Sequence, residues 1–336
     1  MRILSRTCAA RTRLFKIFNY KITNQIPMVS KADFKGRHFI SMREYNRAEL
    51  DYMLNVADEM VQLEKQGSDM AKGKVLASLF FEPSTRTRLS FEIAMFRLGG
   101  NVTTVADPMT SSAKKGESFE DTIRTVMNYV DIIAMRHPDN DAALRAAKVS
   151  SVPYINGGSG SWEHPTQTML DLHCIRTALS AIDGHTIGLV GDLKYGRTVH
   201  SLLLALRHYD VKVVCISPDQ LKMKEDVIQG TEGKIEITET SDLKKALPQL
   251  DIMYVTRIQK ERFTDPAEYE KLKDAYIVDK ALLSKAKKGV VVMHPLPRVN
   301  EISTDVDDLP NAWYFRQMKH GIYARMAIIA LALGVY

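Results

Sequence analysis

The 336-residue chain is poor in cysteine, and its three, Cys8, Cys174 and Cys215, stand far apart. They form no Cys-x-x-Cys zinc pattern and no disulfide framework, a usage that fits a reducing compartment. Long apolar runs are missing too. The longest, Ala327 to Tyr336, is about half of the roughly 20 residues that a bilayer crossing needs, so a soluble protein without membrane contact is expected. No repeat and no low-complexity tract is visible. A further absence is local: residues 1–32 hold seven Lys and Arg and no acid, the first acid being Asp33. The net charge of +6 therefore splits into +7 for this tail and −1 for residues 33–336, where 39 cations face 40 anions. A pI near 9.0 thus describes the tail, and a nucleic-acid-binding body is excluded as a reading of the whole chain.

The composition, 45% hydrophobic and 26% charged, is that of a globular protein, and the length suggests about two domains. Residues 1–32 form a basic extension outside the domains, expected to be disordered. Three readings of it stay open: an organellar transit peptide, for mitochondrion or plastid, though serine-poor; a disordered tail; or an upstream start, with Met28 as the first residue. A cytoplasmic location is expected unless the first holds.

Past the tail, strand-like and helix-like segments alternate. Ser41-Met-Arg-Glu44 has the spacing of a capping box, opening a helix with an apolar face at Leu50, Leu54, Ala57 and Val61 and a stop at Gly67. Strands are predicted at Val75–Phe81, Val102–Val105, Ile132–Met135 and Val152–Ile155. A long helical pattern follows at Pro165–Ser180. Further strands are predicted at Ile187–Val190, Val211–Ile216, Ile252–Val255, Ile277–Val278 and Val290–Met293. Two βα series joined by one helix predict an α/β protein with two doubly wound parallel-sheet domains. Such sheets bind ligands beyond the carboxyl ends of their strands, so the polar residues there carry the functional signal.

Glu82-Pro-Ser-Thr-Arg-Thr-Arg88 follows a strand and opens a helix with a predicted apolar face at Leu89, Ile93 and Phe96. Hydroxyls of Ser84, Thr85 and Thr87, unpaired helix N–H groups and Arg86 together suit a phosphate. A capped helix bearing surface arginines would read the same way. Arg136 closes a strand. His164 and Gln167 open the linking helix, with Pro165 at its first position. Thr110–Glu117 reads as a polar loop whose Lys114 and Lys115 are either solvated or deliver charge to a phosphate. In the second half, Gly191-Asp-Leu-Lys-Tyr-Gly-Arg197 lacks the glycine spacing of a dinucleotide turn. Arg197 and Arg257 both lie beyond strand ends, where two guanidinium forks suit a dicarboxylate. His294-Pro-Leu-Pro-Arg298 is a rigid turn with free carbonyls. Together these describe one crevice with an oxyanion half and a dicarboxylate half, and no metal cluster or nucleophile triad accompanies them.

In this order, Ser84-Thr-Arg-Thr-Arg88, Arg136-His-Pro, His164-Pro-Thr-Gln167, Gly191–Ser201, Thr256–Arg262 and His294–Arg298 resemble the aspartate carbamoyltransferase catalytic chain, over roughly residues 36–334. The resemblance implies a transferase of one-carbon groups. It would move the carbamoyl group of carbamoyl phosphate to L-aspartate in de novo pyrimidine synthesis, with no cofactor or metal. It implies a carbamoyl-phosphate domain over 33–164 completed by a C-terminal helix at 320–334, a linking helix at 165–180 and an aspartate domain over 181–319. Ser84, Thr85, Arg86 and Thr87 would hold phosphate. Thr87, Arg136 and His164 would polarise the carbamoyl oxygen. Gln167, with Leu296 and Pro297, would bind the carbamoyl amine. Arg197, Arg257 and Gln259, again with Leu296, would hold aspartate. Ser111 and Lys115 would reach a neighbouring subunit's site, implying a homotrimer with shared sites. Whether a regulatory chain binds stays open. Glu163 stands where some relatives carry Gln. Two rivals remain: ornithine carbamoyltransferase, which usually shows Cys at the position of Pro295, and a catalytically silent scaffold of the same family.

Overall fold

A computed structural model describes residues 29–105, 116–263 and 265–336. The basic extension as far as residue 28, and with it most of the predicted tail, lies outside the described residues, as do Ser111 and Lys115.

The first domain alternates α1 (Arg47–Gln66), β1 (Val75–Phe80), α2 (Thr85–Arg97), β2 (Asn101–Val105), α3 (Phe119–Val126), β3 (Ile132–His137), α4 (Ala142–Val149) and β4 (Tyr154–Ser159). Its parallel sheet has the order β2-β1-β3-β4. Alternation along β1 divides the side chains between two layers. Leu76 and Phe80 face α1 and α2, and Ala77 and Leu79 face α3 and α4. The linking helix α5 (Pro165–Leu179) leads into β5 (Thr186–Val190), α6 (Arg197–Leu206), β6 (Lys212–Ile216), α7 (Glu225–Gln229), β7 (Glu236–Thr240), α8 (Leu243–Ala246), β8 (Ile252–Val255), α9 (Pro266–Leu272), α10 (Lys280–Leu283) and β9 (Val291–Met293). The second sheet is also parallel, in the order β7-β6-β5-β8-β9. The last helix, α11 (Tyr314–Leu333), returns to pack on α1, α2 and α5. The fold is two doubly wound α/β domains.

Several local expectations are corrected. Ser41 does not cap the first long helix. Its hydroxyl accepts from Arg43 N over a single 3-10 turn, and the helix starts at Arg47 under a capping box of Asn46 and Glu49. Tyr45 is extended, which separates the two. Gly67, at φ +72, ends the helix as expected. Leu89, Ile93 and Phe96 are exposed, and the buried face of α2 is Thr87, Phe91, Ala94 and Met95. Both faces of that helix carry apolar residues, so periodicity alone chose the wrong one. β4 runs to Ser159, later than predicted, because the Asn156-Gly-Gly-Ser159 stretch stays in the ladder with every residue buried. Ile277–Val278 supplies only a bridge from Val278 to Ile302. β7 is an edge strand with one face in water, and its sparse apolar content hid it. The last helix begins at Tyr314 rather than at 320.

The sheet orders place the functional loops. The chain reverses winding between β1 and β3 in one sheet and between β5 and β8 in the other. At such switch points the loops leave a crevice at the strands' carboxyl ends. The four loops that begin at Phe81, Pro138, Gly191 and Thr256 are therefore the ones that flank the two crevices.

Candidate active site

The two crevices open on one cleft of about 850 Å³. Ser84, Thr85, Arg86, Thr87, Arg136, His164 and Gln167 line one side, and Arg197, Arg257, Gln259, Leu296 and Pro297 line the other. Among the described residues Glu82 is the one acid of the lining, against six arginines, which include Arg262 and Arg325.

At the phosphate end, α2 starts at Thr85 with Ser84 as its N-cap, and no acid sits in its first turn. Ser84 makes no side-chain cap. Its hydroxyl accepts from Arg136 Nη1 at 2.5 Å. The free helix N–H groups and the positive end of the dipole are thus left facing an anion. Burial, and then repulsion from Arg257, lowers the pKa of Arg86. Cations held near one another favour a bound anion.

Arg136 lies in the β3 ladder opposite Phe80, which brings its side chain over the loop after β1. Glu82 Oε2 lies 3.3 Å from Arg136 Nε and 3.1 Å from Arg197 Nη1. One carboxylate thus joins an arginine from each domain. Arg197 Nη1 also donates to the Gly160 carbonyl at 2.6 Å. Gly158 adopts φ +121, which an L side chain rarely takes, and a Cβ there would press on the Arg136 and Arg197 guanidinium groups at 3.3 Å. Gly191, at φ +114, lets the loops after β5 and β8 abut, since a Cβ there would lie 2.3 Å from the Thr256 carbonyl oxygen. Gln259 Nε2 reaches Asp192 Oδ2 at 3.4 Å, and Asp192 also accepts from Tyr195 N at 2.9 Å, so the two loops hold each other.

His164 caps α5 with its side chain buried and its Nε2 3.5 Å from Thr87 Oγ1. Burial, helped by the charge of Arg325, pushes its pKa down to about 3. At neutral pH this imidazole is uncharged, able to donate or accept a hydrogen bond and ill suited to act as an acid. The turn after β9 is held by His294, whose Nδ1 accepts from Leu296 N at 2.7 Å while Nε2 meets Glu301 Oε1 at 2.7 Å. Leu296 itself is left-handed, at φ +57.

Residues 37–177 match the model of the aspartate/ornithine carbamoyltransferase carbamoyl-P binding domain, and residues 183–332 match that of the Asp/Orn binding domain. The chain belongs to the aspartate/ornithine carbamoyltransferase family. It is 53% identical over 306 residues to the aspartate carbamoyltransferase catalytic subunit of Thermococcus gammatolerans, covering 90% of this chain and 99% of that one. Among solved structures it is similar to aspartate transcarbamoylase of Trypanosoma cruzi in complex with carbamoyl phosphate. There the TM-score is 0.87 and the identity 40%, over 92% of this chain and 99% of that one. The same enzyme in complex with N-(phosphonacetyl)-L-aspartic acid gives a TM-score of 0.84 at 40% identity, over 91% and 98%.

Within this family frame two buried charged groups, one in the cleft and one beside it, had no role assigned from the motifs. Arg325 is almost fully buried, its guanidinium carbon 5.0 Å from the Phe91 ring centroid, and burial pushes its pKa down to about 9. A lone arginine inside the apolar run of α11 was the available signal. Glu163, without an assigned role in the sequence, is 1% exposed. It accepts from Ser41 Oγ at 2.5 Å, Met42 N at 2.9 Å and Ser201 Oγ at 3.2 Å. Ser201 Oγ accepts in turn from His164 N at 2.9 Å. Glu163 therefore ties the segment before α1 to α6 and steadies the backbone of His164, and it lies outside the cleft lining.

Proposed function

We infer that this chain transfers the carbamoyl group of carbamoyl phosphate to the amine of L-aspartate, giving N-carbamoyl-L-aspartate and phosphate. The observation that carries this is a single cleft in which a helix N-terminus with Arg86 and Arg136 faces Arg197, Arg257 and Gln259. A phosphate ester and a dicarboxylate together bring negative charge to a lining in which, among the described residues, six arginines stand against one acid.

The chemistry follows from the placement. The deprotonated aspartate amine attacks the carbamoyl carbon, a C–N bond forms, and the carbonyl electrons collect on oxygen. Arg136, the neutral His164 and Thr87 stabilise that oxyanion; in other enzymes one such donor is worth roughly 10²–10³ in rate. The oxyanion then re-forms the carbonyl as the bond from the carbamoyl carbon to the bridging oxygen breaks; its electron pair leaves with phosphate, whose oxygens take the amine proton. The groups come from both domains, so approach of the domains aligns amine with carbonyl and removes water.

The assembly we propose is a homotrimer in which Ser111 and Lys115 complete a neighbour's site. Its support is the family resemblance of that loop, together with the exposed apolar residues Leu89, Ile93 and Phe96 on α2. Incubating the purified chain with carbamoyl phosphate and either aspartate or ornithine tests the function. Carbamoylated aspartate is expected, and turnover with ornithine alone would refute the reading.

A further inference from the structure

Behind the cleft lies a buried carboxylate that no step above uses. Asp171, on α5, has no exposed surface. Its Oδ1 accepts from Gln167 Nε2 at 3.0 Å and from Gln317 Nε2 at 2.6 Å, and its Oδ2 accepts from the Tyr254 hydroxyl at 2.8 Å. The donors come from α5, α11 and β8, so the group sits at the joint of the two domains. Burial pushes its pKa up to about 7; the Gln317, Tyr254 and Gln167 donors, and then the charge of the buried Arg325, pull the other way and favour the ionised, accepting form.

A carboxylate can only accept, whereas a glutamine side chain has one end that donates and one that accepts. Asp171 therefore fixes which way the Gln167 amide points. With the NH₂ end held by Asp171, the carbonyl end is what remains for the cleft that Gln167 lines. The same logic extends one residue further. Gln317 gives its NH₂ to Asp171, and its Oε1 accepts from His294 N at 2.9 Å. A flipped amide would set a donor against that N–H. His294 in turn holds Leu296 N, so the turn is anchored to the same carboxylate.

We propose that Asp171 is a positioning residue for substrate choice: by orienting Gln167 and, through Gln317, the Leu296 turn, it presents acceptors to the NH₂ of a carbamoyl group and so selects it over a methyl group. The inference rests on the carbamoyl-transfer reading above. A site built to bind an N–H discriminates strongly against an analogue without it, because the site's polar groups are then left unpaired.

Acetyl phosphate, with methyl in place of amine, is the probe. The readout is its inhibition constant divided by the KM of carbamoyl phosphate, measured on the purified full chain with saturating aspartate. Asp171→Asn can both donate and accept, which frees the Gln167 amide to flip. The ratio is expected to fall by at least about tenfold, mainly through a higher KM for carbamoyl phosphate. Tyr254→Phe removes a donor from the same carboxylate and a contact of that hydroxyl with Gln167, but leaves both glutamine-to-Asp171 bonds in place, so its ratio is expected to fall less than that of Asp171→Asn. An unchanged ratio in Asp171→Asn, or an equal fall in Tyr254→Phe, overturns the proposal in favour of a purely structural role. Should Asp171→Asn not fold, Gln317→Met carries the test by cutting the link to His294. A fall of about threefold or more supports the proposal, and no change overturns it. Absence of turnover by the unmodified chain with carbamoyl phosphate and aspartate refutes the functional reading and this inference with it. Turnover with an unmoved ratio refutes this inference alone.

Discussion

His164 offers the sharpest test of the electrostatics. Its folded-state pKa near 3, against an ordinary 6.5, means that the folded protein refuses a proton that the unfolded chain accepts. Stability from this residue is fully present above pH 6.5 and is lost as pH falls towards 3. The loss is about 1.4 kcal/mol per pH unit within that window. Replacing it by Gln, whose amide nitrogen lies near the position of Nε2, removes the slope. The stability difference between His164→Gln and wild type should therefore shift by about 1 kcal/mol between pH 6.5 and pH 5.5 in favour of the variant, as read from urea unfolding. Other buried histidines cancel in the comparison. The same value predicts activity. At pH 6 roughly one molecule in a thousand carries a charged His164, so kcat should show no ionisation from it between pH 6 and 9. His164→Ala should cost roughly 10²–10³ in kcat, and His164→Gln less. The reasoning is refuted if the wild-type kcat profile has a limb with an apparent pKa near 6–7 that vanishes in His164→Gln, or if the stability difference does not move with pH.

Other outcomes follow from the geometry. Arg86→Ala should raise KM for carbamoyl phosphate and Arg257→Ala KM for aspartate, each by roughly 10- to 100-fold at the scale of one charge-assisted hydrogen bond; steady-state kinetics showing equal losses of both affinities in each variant would contradict a two-half cleft. Glu163→Ala leaves the Ser41 hydroxyl, the Met42 N–H and the Ser201 hydroxyl buried without their acceptor, and urea unfolding should show a loss of about 3–5 kcal/mol. At carbamoyl phosphate concentrations too low for Lys115→Ala or Arg86→Ala alone to turn over, mixing the two chains and letting them re-associate should restore part of the activity under the shared-site assembly proposed above; no recovery in mixed assemblies counts against sharing.

Legibility in the sequence differed by distance along the chain. The phosphate end was readable because Ser84, Thr85, Arg86 and Thr87 are contiguous and a helix start supplies N–H groups whatever surrounds it. His164 and Gln167 were readable for the same reason. Glu82, Asp171, Glu163 and Arg325 were not, because each has partners tens to more than a hundred residues away, Asp171 adding Gln317 and Tyr254 to its helical neighbour Gln167. Glu82 reaches Arg197 and Asp171 reaches Gln317, and nothing in the local pattern announces such pairs. Among the elements, the buried strands of both sheets were visible as short apolar runs. The edge strand β7 and the glycine-rich end of β4 were not, because one lacks apolar content and the other lacks side chains.

By itself, then, the sequence determined the alternation of strands and helices, and with it two wound sheets, because periodicity and turn chemistry are local properties. It also determined which loops carry cations. Only the tertiary structure decided that the two switch points open on one cleft and that six arginines share it with a single acid. The protonation of His164 and the facing of Gln167 were decided there as well. Charge state and hydrogen-bond direction depend on burial and on partners brought from other elements, and burial exists only once the chain has closed around them.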